Sequence, residues 1–321
     1  MTVTPVPQSG NPSISKPARP ARQARVAAQA GSTAAQVPAP VADLVAAGER
    51  RISLICTDVD GTLMNSQNQL TPGVEQALNA AHEAGVPVVL ATGKAMGPWV
   101  ADVLPRLRSR LPQVYLQGLL INCPDEGVLF RRPLDVSVVR EAITFAQQHG
   151  LTLTAYVGAD RILCEETNEH TDRLVFYREP TPEAVGPLEP FLGQVDVMKL
   201  ILLTTHEHIL EARPAAEQLF AGKASLTMAL PGMLEILPLG ASKGEGVSWL
   251  LNHLGVAPGD VMALGDGEND VEMLGLVGLG VAVGNAGSKA RAAADVVVGS
   301  NDEDGVAEAV RKFVLQPRGL A

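Results

Sequence analysis

Two apolar runs far apart in the chain, Ile52 to Cys56 and Val261 to Leu264, each lead straight into a glycine-bearing acidic loop. The first loop is Asp58-Val59-Asp60-Gly61 and the second is Gly265-Asp266-Gly267-Glu268-Asn269-Asp270. A short run of β-formers that stops at a polar turn is a buried strand. A helix follows the first loop. Thr71-Pro72 supplies an N-cap and a first-turn proline, Val74, Ala77, Leu78 and Ala81 recur at helical spacing, and Gly85 closes it. Val86 to Ala91 then reads as a second strand, ending in Thr92-Gly93. Strand, helix and parallel strand make a right-handed βαβ unit.

The C-terminal third repeats this grammar. A helix from Ser242 to Leu254 closes at Gly255, and the strand Val261 to Leu264 follows. Further strands are expected at Leu279 to Val283 and Val296 to Val298, with a short helix at Ser288 to Ala294 between them. A last helix is expected from Asp304 to Leu315. Alternation of this kind gives an α/β fold, a doubly wound and mostly parallel sheet of Rossmann-like type with both faces covered.

The middle reads differently. A helix at Asp135 to His149 precedes a hairpin, Leu151 to Val157 and Arg161 to Cys164, turning at Gly158-Ala159-Asp160. Strands are expected at Val197 to Leu203 and Leu226 to Ala229, with a helix at His206 to Phe220 between them. This pattern predicts an α+β module inserted into the first fold. The expected organisation is a leader over 1–48, the first part of the core over 49–96, the insert over 97–238 and the second part of the core over 239–321.

The leader stands apart in composition. Residues 1–42 hold ten alanines, seven prolines and four serines, and carry Lys16, Arg19, Arg22 and Arg25 with no acidic residue. That segment is +4 in a chain of net charge −10, which leaves −14 on the remainder. It has too few large apolar residues to offset the entropy of ordering. An acid-poor, Arg- and Ser-containing leader fits an organelle transit peptide. Its early prolines and late basic residues favour the plastid stroma over the mitochondrion. A disordered tail on a cytoplasmic protein is the other reading.

The acidic body repels polyanions, so nucleic acid is not an expected partner. The longest apolar run, Met198 with Leu200 to Leu203, is interrupted by Lys199 and is far too short to span a bilayer. Cys56, Cys123 and Cys164 lack metal-site or paired spacing and read as reduced, buried thiols.

Ligands of open parallel sheets bind beyond the carboxyl ends of the strands. Asp58 with Asp60, then Thr92, then Asp266 with Asn269 and Asp270 all stand at such ends, and Lys243 opens a helix. If one sheet holds these strands, the groups converge. Several carboxylates in one pocket cannot all stay ionised without a cation, and an all-oxygen set favours Mg²⁺ where a phosphate completes the shell. Thr92 and Asn269 can donate to phosphate oxygens. Lys243 sits where the helix dipole disfavours a cation, which is sensible if an anion binds beside it.

These segments together resemble the haloacid dehalogenase superfamily. Asp58-Val59-Asp60-Gly61-Thr62-Leu63 looks like its first motif, Ala91-Thr92-Gly93-Lys94 its second, Lys243 its third and Gly265 to Asp270 its fourth. The long insert between the second and third motifs is similar to the Cof-type branch, whose α/β cap lies there, and in particular to plastid-type members of plants and algae. Tyr115-Leu116-Gln117-Gly118 occupies the place of that branch's Asn-Gly segment, with Gln117 for Asn.

The resemblance implies a phosphatase acting on a small phosphorylated metabolite. It makes Asp58 the nucleophile and Asp60 the general acid and base. It places the transferring phosphoryl group on Thr92, Gly93, Lys243 and Asn269. Mg²⁺ would be bound by Asp58, Asp266 and the Asp60 backbone carbonyl, with Asp270 supporting that shell. A phosphotransferase or mutase would use the same chemistry with a hydroxyl acceptor. A non-catalytic phosphate-binding regulator would be expected to lack Asp58 or Asp60, and both are present.

Other features read as structural. Gly240 to Gly244 lacks the hydroxyl that a P-loop needs after its lysine. His206 and His208 face different sides of a helix. Trp99 and Trp249 read as packing residues. Lys94 stands where the family often carries Arg, and loses that residue's bidentate geometry.

Overall fold

A computed structural model describes residues 51–320. The expected leader over 1–48 lies outside the described residues. The chain enters through β1 (Leu54–Thr57), whose four side chains are all buried. Helix α1 (Pro72–Glu83) is capped by the Thr71 side chain, which accepts from the Val74 N–H, and it buries Val74, Ala77, Leu78 and Ala81. Strand β2 (Val88–Leu90) pairs parallel with β1.

The chain continues through α2 (Trp99–Leu107) into three short strands, β3 (Gln113–Tyr115), β4 (Leu120–Cys123) and β5 (Gly127–Arg131). These pair antiparallel as a sheet of their own. Sequence patterning did not announce them. Helix α3 (Val136–His149) then leads to β6 (Thr152–Val157) and β7 (Arg161–Cys164), the expected hairpin. Next come α4 (Glu169–Phe176), β8 (Glu183–Ala184), β9 (Val197–Leu203), α5 (His206–Leu219), β10 (Ala224–Leu230) and β11 (Met233–Pro238).

The last third supplies α6 (Lys243–Leu254), β12 (Val261–Gly265), α7 (Val271–Leu276), β13 (Leu279–Ala282), α8 (Ser288–Ala293), β14 (Val296–Val297) and α9 (Gly305–Val310).

The principal sheet has the order β14-β13-β12-β1-β2, and every pairing in it is parallel. Period-2 alternation sends its side chains to two faces. Ile55, Leu90, Met262 and Val281 pack with Val74 and Leu78 of α1 and Val306 and Val310 of α9. Leu54, Cys56, Val89 and Ala263 pack instead with Val247 and Leu250 of α6 and Met273 of α7. Both faces are therefore covered, which defines the doubly wound class.

A second, six-stranded sheet has the order β10-β11-β9-β6-β7-β8 and is antiparallel except for β7 with β8. One of its faces packs Leu153, Ala155, Leu200, Leu202, Leu234 and Ile236 onto α3 and α5. The alternate residues, Tyr156, Ile201, Leu203 and Met233, join the cluster of the principal domain. The inserted cap thus lies with its open sheet face over the core.

The segment 97–131, expected as the start of the insert, packs with the core. Ala91 bridges Val114 in parallel, so β3 carries on from the edge of the principal sheet. Trp99, Val103 and Leu107 of α2 are fully buried in the core cluster. We place the start of the cap near Leu134, the first residue of the separate cap cluster. The three cysteines are free and buried. Among the described residues no helix is long and apolar enough to cross a membrane.

Candidate active site

The carboxyl ends of β1, β2 and β12 open into one cleft. It is lined on the core side by Asp58, Asp60, Thr92, Gly93, Asp266 and Asn269. Adjacent parallel strands end at the same level, which is why loops so distant in sequence meet here.

Lys243, the first residue of α6, connects the two acidic loops. Its Nζ lies 2.6 Å from Asp58 Oδ1 and 2.6 Å from Asp270 Oδ1, and the side chain is fully buried. Ser242 caps the helix by accepting from the Glu245 N–H at 3.1 Å, which fixes where Lys243 begins. Asp270 uses its other oxygen to accept the backbone N–H groups of Asp266 and Gly267, each at 2.9 Å. It therefore braces both the lysine and its own loop. Asp266 is oriented by Thr62, whose hydroxyl donates to Asp266 Oδ1 at 2.8 Å.

The charge balance is uneven. Burial pushes the Asp58 carboxyl well above its ordinary range; Lys243 opposes this, while Asp270 and Asp266 add to it. Burial and the neighbouring Asp270 raise Asp266 to about 7. Burial disfavours the charged form of Lys243, but Asp270 and Asp58 outweigh it and hold the ammonium more firmly than usual. One ammonium thus serves three carboxylates. Asp58, Asp266 and Asp270 each offer an oxygen within 4.8 Å of the others, a group that could hold a cation.

Gly61 shows how tightly the loops approach. Its φ is +78°, and a Cβ there would stand 2.6 Å from Asp266 Oδ2. Any side chain would be both strained and in collision with the acidic cluster.

Asp60 sits apart from the three clustered carboxylates, and its side chain faces Lys94. The Lys94 ammonium lies 3.1 Å from Asp60 Oδ1 and also donates to the Tyr177 carbonyl. Lys94, which stands where the family often carries Arg, thus commits its ammonium to Asp60 and a cap carbonyl. Thr92 is buried, and its hydroxyl oxygen accepts the Lys94 N–H at 3.1 Å. Asn269 donates its amide to Gln117 Oε1 at 3.1 Å.

Gln117 is a site residue for which patterning gave no role. It is fully buried with φ at +59°, and its N–H donates to the Thr92 carbonyl at 3.0 Å. The next residue, Gly118, has φ at +89°, and a Cβ there would lie 2.4 Å from the Ser242 carbonyl oxygen. This turn therefore seats against the start of α6, between Thr92, Asn269 and Lys243. Two left-handed non-glycine residues in succession, Leu116 and Gln117, mark stored strain of the kind that collects at functional sites.

The cap contributes the far wall: Tyr156, Tyr177, Glu179, Lys199 and Glu235. Lys199 pairs with Glu235 at 3.1 Å and donates to the Gly93 carbonyl at 2.8 Å. Glu179 accepts the Ala95 N–H at 3.0 Å. One signal for this wall stood in the sequence. Lys199 interrupts an apolar strand, and a charge in a buried strand must find a partner. The identity of that partner did not.

The chain is similar to known proteins over nearly all of its described length. A family model described as haloacid dehalogenase-like hydrolase matches residues 55–310. An Arabidopsis thaliana protein named chloroplastic endoribonuclease YBEY is 38% identical over 276 residues, covering 83% of this chain and only 47% of that protein. The HMP-PP phosphatase of Cronobacter sakazakii is 28% identical, over 71% of this chain and 83% of its own. A haloacid dehalogenase-like hydrolase from Bacteroides thetaiotaomicron superposes with a TM-score of 0.72 at 27% identity, covering 82% of this chain and 99% of that structure. The chain belongs to the haloacid dehalogenase-like hydrolases, in their Cof-type branch.

Proposed function

We propose that the protein hydrolyses a small phosphomonoester in a Mg²⁺-dependent reaction through a phosphoenzyme on Asp58. The observation that carries this reading is the buried Asp58–Lys243–Asp270 constellation at the mouth of a parallel sheet. Asp58 is held in a fixed rotamer by the ammonium, so it meets the phosphorus without a reorganisation cost. It attacks and forms an acyl phosphate while the ester oxygen departs.

Asp60 protonates that oxygen and then takes a proton from the water that hydrolyses the intermediate. Lys94 fixes the position of Asp60 between these two steps. Thr92, Gly93, Lys243 and Asn269 hold the phosphoryl oxygens. Charge neutralisation and positioning supply most of the catalysis in such transfers.

A hard divalent cation fits the site, because its all-oxygen donor set carries more negative charge than Lys243 can balance. Asp58, the Asp60 backbone carbonyl and Asp266 would hold it. Asp270 supports that shell through Lys243 and the loop N–H groups. When bound, Mg²⁺ supplies the positive charge that lets a carboxylate approach a phosphate dianion.

Asp58→Asn is expected to abolish phosphate release while leaving the thermal midpoint within a few degrees of the native value. Full activity in that variant would remove Asp58 as the nucleophile. Excess EDTA should suppress turnover, with recovery on adding Mg²⁺; undiminished rates in the chelator would contradict the metal role. Free phosphate from a single added substrate separates a hydrolase from a phosphotransferase. We also infer a plastid location, supported by the chloroplastic name of the Arabidopsis relative and by the composition of residues 1–42.

A further inference from the structure

Gln117 carries a donor that the protein itself does not satisfy. Its side chain is fully buried, and its Nε2 has no hydrogen-bond partner. The main-chain N–H of the same residue donates to the Thr92 carbonyl at 3.0 Å, and Oε1 accepts from the Asn269 amide at 3.1 Å. Nε2 lies against Gly93, where an added Cβ would come within 2.5 Å of it. The carboxamide therefore spans the gap between Gly93 and Asn269, two of the groups assigned to the phosphoryl oxygens. A buried N–H left bare costs free energy on folding, and the cost is recovered when an acceptor arrives to pair with it.

Backbone conformation shows that the length of this side chain matters. Gln117 has a φ of +59° and follows Leu116 at +52°. Among residues with a side chain, asparagine tolerates that region far better than glutamine, because its short amide bonds locally. A glutamine here keeps a conformational cost that asparagine would lessen. What the extra methylene adds is reach, since a shorter side chain would draw the carboxamide back from Gly93 and Asn269.

The ammonium groups of the cleft already serve carboxylates. Lys94 holds Asp60, Lys199 holds Glu235, and Lys243 is shared between Asp58 and Asp270. A transferring phosphoryl group spreads its charge over three oxygens and gains from every donor aimed at them. An uncharged amide adds one such donor without disturbing the ion pairs. We propose that Gln117 Nε2 donates a hydrogen bond to the transferring phosphoryl group, beside Gly93 and Asn269, and is a further catalytic residue. This rests on the phosphatase reading of the same cleft.

The test compares Gln117→Asn and Gln117→Glu with the native protein. It follows phosphate release from p-nitrophenyl phosphate in excess Mg²⁺, with orthovanadate as an inhibitor that adopts the five-coordinate shape of the phosphoryl group in transfer. Asparagine relieves the backbone but shortens the reach. Its thermal midpoint should stay within about two degrees of the native value, while kcat/KM falls about 10- to 100-fold, the loss of one charge-assisted donor. Glutamate keeps the shape of the side chain and an oxygen for the Asn269 amide, but it replaces the donor by an acceptor. If Gln117 served only to orient Asn269, glutamate would do so equally well. Turnover in Gln117→Glu should instead drop at least as far as in Gln117→Asn. In both variants the inhibition constant for vanadate should rise by a similar factor. Gln117→Asn carries the test alone if the buried glutamate prevents folding.

Native turnover and vanadate affinity in either folded variant would overturn the proposal and leave the phosphatase reading standing. So would a loss of turnover that leaves vanadate affinity untouched. No phosphate from the native protein would overturn the phosphatase reading itself, and this proposal with it.

Discussion

Replacing Lys243 by Met tests the electrostatic frame of the site. Methionine matches the length of the lysine stem and fits the same buried channel, so packing is nearly conserved. The charge is not. Asp58 and Asp270, each 2.6 Å from the ammonium, are left facing one another with no counter-charge. Removing one member of a buried ion pair costs about 3–5 kcal/mol, because the remaining charge stays out of water. A chain of this size unfolds with an entropy of roughly 0.6 kcal/mol per degree, so the thermal midpoint should fall by about 5–9 °C.

That loss comes from the stranded carboxylates of Asp58 and Asp270. Adding Asp270→Asn to Lys243→Met should therefore recover part of it. The asparagine oxygen can keep accepting the Asp266 and Gly267 N–H groups, and the amide carries no charge. Urea unfolding followed by tryptophan fluorescence measures all four corners of the cycle, with the fully buried Trp99 as reporter. The double variant should be more stable than the summed losses imply by at least about 2 kcal/mol. Additive losses would refute the reasoning, since they would mean that Lys243 acts through packing alone.

Two further outcomes follow from the same geometry. Burial raises Glu179 to about 7 from the ordinary 4.5. The folded chain therefore binds a proton there that the unfolded chain has lost, and stability drains away as pH rises from about 4.5 to about 7, by roughly 3 kcal/mol in all. Glu179→Gln cannot titrate, so its midpoint relative to the native chain should climb between pH 5 and pH 8; a flat difference would show that Glu179 titrates normally. Gly118→Ala and Gly85→Ala separate strain from collision. Both positions have positive φ, but only at Gly118 would the new Cβ meet a backbone atom, Ser242 O at 2.4 Å, whereas nothing lies within 4 Å at Gly85. Urea unfolding should show a loss of about 1 kcal/mol at Gly85 and clearly more at Gly118, where turnover should also drop because Lys243 follows directly.

Legibility varied with how local the cause was. The strand before Asp58, the helix capped by Thr71 and the helix opened by Ser242 were all readable, because their start and stop signals lie within a few residues of one another. The β3–β5 meander escaped notice. Its strands are three to five residues long and carry no sustained alternation, and β3 exists because Ala91 and Val114 meet at a sheet edge. Gln117 was visible as a departure from a family pattern, but its hold on Thr92 and Asn269 was not.

By itself the sequence determined which segments could be strands and helices, and which side chains could attack, protonate or hold a phosphate. Apolar spacing, caps and turn residues act over a few positions, and reactive groups are a matter of residue type. Only the tertiary structure decided that Lys94 should face Asp60, that Lys199 should find Glu235, and that Tyr156 should keep a bare hydroxyl above the cleft. Those outcomes depend on sheet register and on how two sheets pack, and both are settled by burial summed over the whole chain rather than by any local run of residues.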